Sequence, residues 1–192
     1  MPERNQAALD FLLTRRSRPP KTLTAPGPSR DEMEVILTAA ARVPDHGKLE
    51  PWRFIVLDGA ALDRLAGLAR TRGAALGKDE ADIAKAAKQF EDGVICVAVV
   101  ESPKESPKIP VIEQTYSAGA VCLGLVNAAL ASGWGAGWLT GWHAFDRPFL
   151  EEGLGLAPQE SLAGLVYLGT ETAAPPERPR PDLAKVVTWQ SE

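Results

Sequence analysis

The sequence predicts a single α/β or α+β sandwich, and three observations lead to this expectation. The chain has 192 residues, of which 45% are hydrophobic and 24% are charged, a composition that supports one sizeable core. Apolar residues recur at helical spacing in several segments, whereas the β-branched run 94–100 is typical of a strand buried on both faces. These segments alternate irregularly, without a repeat or a domain boundary, so residues 1–192 are expected to form one domain.

Helices dominate the first half of the predicted order. Apolar periodicity indicates a helix over residues 3–16, and the Pro-rich residues 19–28 end it. Ser29 and Glu32 then form a capping-box pattern, which starts a second helix that runs to about Arg42. The other segments of this half are a loop over 43–51, a strand over 52–57, Ala-rich helices over 60–71 and 79–91, and the strand over 94–100.

The second half combines one long helix with three strands. Residues 101–110 form a charged, Pro-containing loop, which we expect to be the most mobile segment. The next helix, over 111–132, is apolar nearly all round and should therefore be central. Asp146 is placed to cap a short helix. Strands are expected over 135–140, 162–168 and 184–189, the last of them after a Pro-rich segment over 173–182.

The last predicted strand points to a second subunit. Residues 184–189 are apolar, but they follow a Pro-rich linker and have little reason to fold back on the sheet of their own chain. Pairing with the edge of a sheet in another copy would satisfy this strand. We therefore expect a homodimer.

Composition and charge exclude several classes of protein. The formal net charge is −4, whereas general nucleic-acid and membrane-surface binders carry a basic face. The uncharged stretch 118–141 is interrupted by polar residues and crowded with glycines, which favours a buried helix and strand over a membrane span. Cys96 and Cys122 lie in apolar runs and are expected to be buried, and no cysteine spacing is typical of a zinc site. Without a signal-peptide pattern, we expect a cytoplasmic protein.

The tripeptide Arg15-Arg16-Ser17 is the first candidate functional feature. It follows the apolar first helix, where cations are favourable because the last carbonyl groups carry partial negative charge. That explanation covers one arginine better than two. A pair of guanidinium groups beside a hydroxyl also suits a phosphate monoester, because arginine forks match phosphate oxygens. These residues alone are consistent with two interpretations, charge compensation at a helix end and a phosphate-binding site.

Four segments in a fixed order resemble the nitroreductase-like flavoprotein family, and in particular its short NAD(P)H nitroreductases. They are Arg15–Ser17, Ala40–Pro44 running to Pro51–Phe54, Ser117–Gly119 in the long helix, and Val166–Thr170 with the late Arg178–Pro181. The resemblance covers nearly the whole chain. It implies an α+β three-layer sandwich, in which helices flank a central, mostly antiparallel sheet. It also implies a homodimer whose subunits exchange the C-terminal strand.

The same resemblance implies an FMN-dependent oxidoreductase. Such a protein transfers hydride from NAD(P)H to a small-molecule acceptor, such as a nitro compound or a quinone, by a ping-pong relay. Because the flavin performs this chemistry, no nucleophile or acid–base pair needs to stand out in the sequence. Two alternatives remain open, namely a flavin-binding protein without turnover and a small-molecule binding module of the same fold without flavin.

The resemblance also assigns residues to the phosphate end of FMN, which carries about two negative charges. Arg15, Arg16 and Ser17 would lie at this end of the cofactor. Arg178 and Arg180 match a second basic pair on the same phosphate, and their alternative is a solvated, proline-stiffened tail.

Two further groups of residues are expected near the flavin ring. Trp138, Leu139 and Thr140 align with the segment that passes the ring, where Gly135 and Gly137 would permit close approach of the backbone. The alternative for this segment is a core strand that needs small residues.

Arg42 and His46 are candidates for the negative charge of the reduced flavin, and His46 is expected to reach the flavin of the partner subunit. Their alternatives are charge compensation at a helix end and a turn hydrogen bond to Asp45. Glu113, in the first turn of the long helix, is the one carboxylate of interest, and dipole stabilisation is its alternative role.

The sequence departs from the family pattern at two positions before Pro51. Many members have asparagine and glutamine there to bind the flavin pyrimidine, whereas this chain has Lys48 and Glu50. An ionised Glu50 cannot donate a hydrogen bond. The segment that forms a lid in larger members is short, so Trp142, His143 and Phe145 are considered for the pocket opening, with loop packing as the favoured alternative.

Overall fold

A five-stranded antiparallel sheet forms the middle layer of the computed structural model, which describes residues 3–191. The central strand β5 pairs with β3 on one side and with β4 and β1 on the other, and β2 pairs with the far side of β3. All these pairings are antiparallel, as the predicted fold class requires. The strands are β1 (Leu23–Thr24), β2 (Trp52–Asp58), β3 (Ile95–Glu101), β4 (Gly135–Leu139) and β5 (Ser161–Glu171).

Helices cover both faces of this sheet, so the predicted three-layer α+β sandwich is confirmed. One face packs against α3, α4 and α6, and the other packs against α2 and α5. The described helices are α1 (Gln6–Thr14), α2 (Arg30–Ala40), α3 (Gly59–Ala75), α4 (Glu80–Glu91), α5 (Val111–Ala131), α6 (Arg147–Leu154) and α7 (Leu183–Val186).

The apolar run in β3 explains why the sheet is buried on both faces. Successive side chains of a strand point to opposite faces. Val97 and Val99 therefore join the core below α2 and α5, whereas Cys96, Ala98 and Val100 join the core below α3, α4 and α6. Burial raises the pKa of the Cys96 thiol well above its usual range, which fits the prediction of an inert, buried cysteine.

Two predicted helix caps are confirmed. The Ser29 side chain accepts from the Glu32 amide while the Glu32 carboxylate accepts from the Ser29 amide, so the capping box is complete. Asp146 accepts from the Phe149 amide at the start of α6. The same carboxylate takes two hydrogen bonds from Arg72, at 2.7 and 3.0 Å, which tie α6 to α3 and lower the pKa of Asp146.

Two expectations about the chain are wrong. Residues 184–189 do not form a strand, because Asp182 caps the short helix α7 and residues 187–191 have no regular structure. No described strand pairs with residues 184–189, so a strand there would have no partner within this part of the chain. The second expectation, that α5 is central and apolar nearly all round, is wrong within this chain, because the side chains of Ile112, Tyr116 and Leu123 are exposed.

The N-terminal segment closes one edge of the sheet. The Arg18 amide donates to the Ala136 carbonyl of β4 over 2.7 Å. A side chain at Gly137 would collide with the Arg18 backbone, so glycine is needed at this crossing. Among residues 3–191, no helix combines the length and hydropathy that a membrane span needs.

His143 is an unusual member of the core because its imidazole is 0% exposed. Its ring packs against Phe90, Phe149 and Trp142, with ring centres 5.0 to 5.7 Å apart. Neither ring nitrogen has a hydrogen-bond partner among the described residues. Burial without a partner disfavours the charged ring and lowers the pKa of His143 from 6.5 to about 4.

This buried histidine predicts a loss of stability at mildly acidic pH. Because its pKa is lower in the folded protein, the unfolded chain binds more protons between pH 6.5 and 4, and stability falls as the pH drops through this window. We expect the free energy of unfolding to decrease by about 2 kcal/mol between pH 7.5 and pH 5 on this account. Urea unfolding at both pH values, without added ligand, measures the difference.

The matched variant is His143→Leu, which removes the titrating group and keeps an apolar side chain. It should lose most of the stability difference between pH 7.5 and pH 5. Asp146 and Glu160 lose their contributions only at lower pH, because arginine partners lower both carboxyl pKa values, that of Glu160 to about 2. An unchanged pH dependence in the variant would refute the assignment to His143.

Candidate functional site

A cavity of about 210 Å³ lies beyond the C-terminal end of β4. One wall is the helix α4, and the other wall is the turn that follows β4. The lining residues are Asp82, Lys85, Ala86 and Gln89 from α4, and Thr140, Gly141, Trp142 and His143 from the turn. Asp82 and Lys85 are exposed at its rim and carry opposite charges.

Four buried nitrogen atoms around this cavity lack hydrogen-bond partners within residues 3–191. They are Gln89 Nε2, Trp142 Nε1, and both ring nitrogens of His143. Buried polar groups are paired in the great majority of cases, so a cluster of unpaired atoms needs an explanation. The amide of Gln89 and the indole of Trp142 can only donate through these nitrogens. These groups in the wall of the cavity are therefore unsatisfied within the described chain.

A second cavity, of about 320 Å³, lies near the N-terminal end of β4. Its lining includes Arg15, Arg16 and Arg18 together with Trp134 and Glu171. Arg18 forms an ion pair with Glu171 at 2.7 Å. Arg15 is half-buried, and its guanidinium makes no ion pair or side-chain hydrogen bond within the described part of the chain. A half-buried, unpaired cation in a cavity favours an anionic ligand.

The C-terminal tail reaches the same region. Arg16 donates to the Pro176 carbonyl and lies 3.7 Å from the Glu177 carboxylate. Arg180 pairs with the same carboxylate oxygen at 3.0 Å. The structure thus brings Arg16 and Arg180, from opposite ends of the chain, to one negatively charged group. No ion pair of Arg178 occurs among the described residues, and its side chain is exposed.

The two cavities flank one strand. Arg18 bonds to Ala136 near the start of β4, and Thr140 follows its last residue. A strand rises about 3.3 Å per residue, so these positions are roughly 13 Å apart along β4. A single elongated ligand with an anionic end and a polar ring could therefore contact both cavities along this edge.

The residues predicted to pass the ring occupy three different environments. The Trp138 indole is 40% exposed and lies over Gly164. Leu139 packs against the core below α3, α4 and α6, and Thr140 lies at the rim of the first cavity. The neighbouring glycines do not leave space for a ligand, because Gly135 faces Leu23 and Gly137 faces Arg18. These contacts fit the alternative to close approach of a ligand, which is a core strand that needs small residues.

The loop over residues 43–51 has an unusual backbone. Gly47, Lys48 and Glu50 all have positive φ angles, of 73°, 55° and 48°. Side chains rarely adopt this conformation, and such strain persists only where surrounding contacts impose it. Here the Asp45 carboxylate accepts hydrogen bonds from the Leu49 and Glu50 amides, at 3.1 and 2.8 Å. A turn hydrogen bond between Asp45 and His46, the alternative role considered for His46, does not occur among the described residues.

This loop is also fastened to α5. The buried Ser117 hydroxyl donates to the Pro44 carbonyl at 2.8 Å and accepts from the Trp52 indole at 3.1 Å. His46 Nδ1 lies 2.6 Å from the Glu113 carboxylate, although 67 residues separate them in sequence. Glu113, in the first turn of α5, thus has a specific partner besides the helix dipole.

Arg42 and His46 are not part of the two cavities beside β4. Arg42 lies just after α2 and lines an open groove with Val35, Thr38 and Ala39. His46 and Lys48 are exposed on the loop beside α5. Within one protomer, the predicted site residues therefore form two separate groups, one beside β4 and one at the surface formed by α2 and α5.

Sequence reasoning missed the α4 wall of the first cavity. Lys85 and Gln89 are one helical turn apart, and Gln89 directly precedes the buried Phe90. The signal available in the sequence was the polar Gln89 next to the core residue Phe90. Trp142 and His143 do line the cavity and were considered, whereas Phe145 does not and is 81% exposed. No cluster of metal-binding side chains occurs in the described residues.

Comparison with known proteins gives consistent results. A model of the Nitroreductase family matches residues 12–170. The protein named "Putative NAD(P)H nitroreductase YdjA" from Escherichia coli (strain K12) is 33% identical over 163 residues, which cover 85% of this chain and 87% of the relative.

Solved structures share the fold. A nitroreductase-like family protein from Bacillus cereus has a TM-score of 0.80 at 21% identity, and the match covers 100% of both chains. A variant of the FMN and NADPH-dependent nitroreductase NfnB from Sphigopyxis sp. strain HMH has a TM-score of 0.73 at 20% identity, with 96% and 99% coverage of this chain and that chain.

Proposed function

The chain belongs to the nitroreductase family, and we propose that it is an FMN-dependent oxidoreductase that transfers hydride from NAD(P)H to a small oxidised acceptor. The observation that carries this proposal is the pair of cavities beside β4, one with an unpaired guanidinium and the other with unpaired hydrogen-bond donors. We propose that the acceptor is a nitro compound or a quinone. We also propose a ping-pong order, in which the hydride donor and the acceptor bind one after the other at one face of the flavin.

The residues near the start of β4 fit the phosphate of FMN. Arg15 is half-buried and unpaired within residues 3–191, and the exposed Ser17 hydroxyl lies two residues further along. Charge-assisted hydrogen bonds from arginine are the strongest contacts available to a phosphate. Arg16 and Arg180 both approach the Glu177 carboxylate, and this supports the proposal that the two guanidinium groups lie close enough to contact one anion.

The residues beyond the end of β4 fit the polar edge of the flavin ring. The carbonyl oxygens of that edge accept hydrogen bonds, and Gln89 and Trp142, whose unpaired donors are buried in the cavity wall, would donate to them. Lys85 at the rim adds a positive charge next to Thr140. A cation near the ring stabilises the negative charge of the reduced cofactor, so Lys85 is a candidate for tuning its potential.

A second copy of the chain would complete the site. Arg42 and His46 lie away from both cavities, so they would contact the flavin of the partner subunit. The apolar side chains of Ile112, Tyr116 and Leu123 are exposed on the neighbouring face of α5, as expected for a surface covered in a dimer.

The tail fits a groove beside the edge strand β2 of the partner subunit. This groove of about 410 Å³ has a mixed lining, with the apolar Met33, Leu37, Val56 and Ile95 and the polar Ser29, Arg30, Glu34 and Asp58. The exposed apolar tail residues Val186, Val187 and Trp189 would contact the apolar part of the groove. We propose that the tail of each subunit packs into this groove of the other subunit.

When bound, FMN supplies the hydride chemistry, and the protein residues bind the cofactor and shape its surroundings. Arg15 and Ser17 would hold its phosphate. Gln89, Trp142 and Lys85 would fix the orientation of its ring. Because Trp138 and Thr140 are exposed, the side of the ring next to them would stay open. The hydride donor and then the acceptor would bind at this open side in turn.

Variants at the two cavities should weaken FMN binding. Arg15→Ala removes a charge-assisted contact of about 1.5–3 kcal/mol, so we expect the dissociation constant to rise roughly 10- to 100-fold. Gln89→Leu removes a neutral donor and should raise it about fivefold. Quenching of flavin fluorescence during titration measures both values.

Arg70→Ala is the matched control for Arg15, because Arg70 is exposed on α3, lines neither cavity and forms an ion pair only with Glu91 among the described residues. Its FMN affinity should equal that of the unmodified protein. The proposed phosphate site fails if Arg15→Ala folds normally and binds FMN as tightly as Arg70→Ala does.

Turnover separates an enzyme from a flavin-binding protein. The FMN-loaded protein should oxidise NADH or NADPH steadily in the presence of a quinone or a nitroaromatic compound. Absorbance at the nicotinamide band measures this rate. A flavin-loaded sample that shows no turnover with either donor would contradict the proposed activity and support a cofactor-binding role.

A charge in the tail should weaken the dimer. Val187→Asp places a carboxylate in the groove that the tail is proposed to fill, and an unpaired charge in an apolar site costs several kcal/mol. We expect the dimer dissociation constant to rise at least tenfold, as measured by sedimentation equilibrium. Leu76→Asp, at an exposed site after α3, is the control. Equal dimer stability in both variants would exclude this role for the tail.

A further inference from the structure

The contact between His46 and Glu113 joins a candidate flavin ligand to a carboxylate, and the predicted flavin contacts do not explain it. His46 Nδ1 lies 2.6 Å from Glu113 Oε2, a short hydrogen bond between a loop and the first turn of α5. An ionised carboxylate can only accept, so the ring donates its Nδ1 hydrogen. The other ring nitrogen, Nε2, is then directed away from Glu113.

The backbone of His46 is held independently of this bond. Asp45 accepts from two amides of the same loop, and Ser117 fixes Pro44 to α5. A side chain on Gly47 would collide with the Ile109 side chain, so the loop also lies tightly against the segment before α5. With the backbone fixed, the remaining freedom of His46 is the rotation and the tautomer of its ring, and Glu113 contacts that ring.

We propose that Glu113 is a positioning residue for His46. By accepting from Nδ1, it selects one tautomer and one ring orientation, so that Nε2 faces outward towards the flavin of a second subunit. The same logic applies wherever a carboxylate orients an imidazole, because the bond at one nitrogen decides what the other can do. This inference rests on the proposed function, in which His46 contacts the partner's flavin.

The composition of the chain makes the ring state directly measurable. It has two histidines, and the second, His143, is fully buried among Phe90, Trp142 and Phe149. Imidazole ¹⁵N spectra should therefore contain two sets of signals, with His143 as an internal reference. We expect His46 to carry its hydrogen on Nδ1 when neutral, even without FMN.

Two variants separate orientation from charge. Glu113→Ala removes the acceptor, and the neutral His46 ring should shift towards the Nε2–H tautomer. Glu113→Gln keeps an acceptor oxygen without the charge, and it should largely preserve the Nδ1–H tautomer. Glu105→Gln is the control, because Glu105 is exposed in the loop before α5 and makes no ion pair among residues 3–191.

FMN affinity is the second readout. One lost hydrogen bond of about 1 kcal/mol corresponds to roughly a fivefold weaker dissociation constant in Glu113→Ala, with rescue in Glu113→Gln. A His46 tautomer that is unchanged in Glu113→Ala would overturn the inference. An altered tautomer with unchanged FMN affinity would overturn it too, because the ring would then not serve the flavin.

The outcomes also separate this inference from the proposed function. An unmodified protein that does not bind FMN would refute the proposed function itself, whatever the NMR spectra show. FMN binding by the unmodified protein, combined with equal affinity in Glu113→Ala and Glu105→Gln, would refute the role of Glu113 alone.

Discussion

The pairing of the N-terminal segment with the edge of β4 determines where the candidate site can form. The Arg18 amide donates to Ala136, and Gly137 permits the two backbones to approach. This contact fixes Arg15, Arg16 and Ser17 beside the strand rather than in solvent. An unpaired edge strand invites association with other chains, so the same contact also protects the sheet. A side chain at position 137 would push away the segment that carries Arg15 and Arg16, and it would expose the edge of β4 at the same time.

The polar groups around β4 are costly for stability unless a ligand pairs with them. Gln89, Trp142 and His143 leave four buried nitrogen atoms without partners in the described chain, and each such atom carries a desolvation penalty. Functional sites often contain such locally unfavourable arrangements. The strained loop that carries His46 is a second example, because Asp45 and Ser117 hold it in a conformation that lysine and glutamate rarely adopt.

Local signals predicted much of the fold. The period-two burial of β3 and the caps at Ser29 and Asp146 follow from short sequence patterns, and the structure contains them. The tail was the main error, because a lone apolar segment does not specify whether it forms a strand or a short helix. A strand forms only where a sheet edge is available to pair with it, and no described edge pairs with this segment. Asp182 favours the helix locally.

The candidate site was only partly predictable for a similar reason. Arg15 and Thr140 were recognisable from the family resemblance, but Lys85 and Gln89 face Thr140 from α4, which is distant in sequence. The ion pair of Arg16 and Arg180 with Glu177 depends on the path of the tail. Helix periodicity gave no reason to join Glu113 to His46, because the loop that brings them together owes its shape to Asp45 and Ser117.

Isothermal titration of the protein with FMN and with riboflavin tests most directly whether both ends of β4 serve one ligand. Riboflavin has the same ring but no phosphate, so only FMN can engage Arg15. We expect one binding site per chain and at least a roughly 100-fold preference for FMN, from two charge-assisted hydrogen bonds. Equal affinity for the two flavins, or no binding of either, would contradict this account.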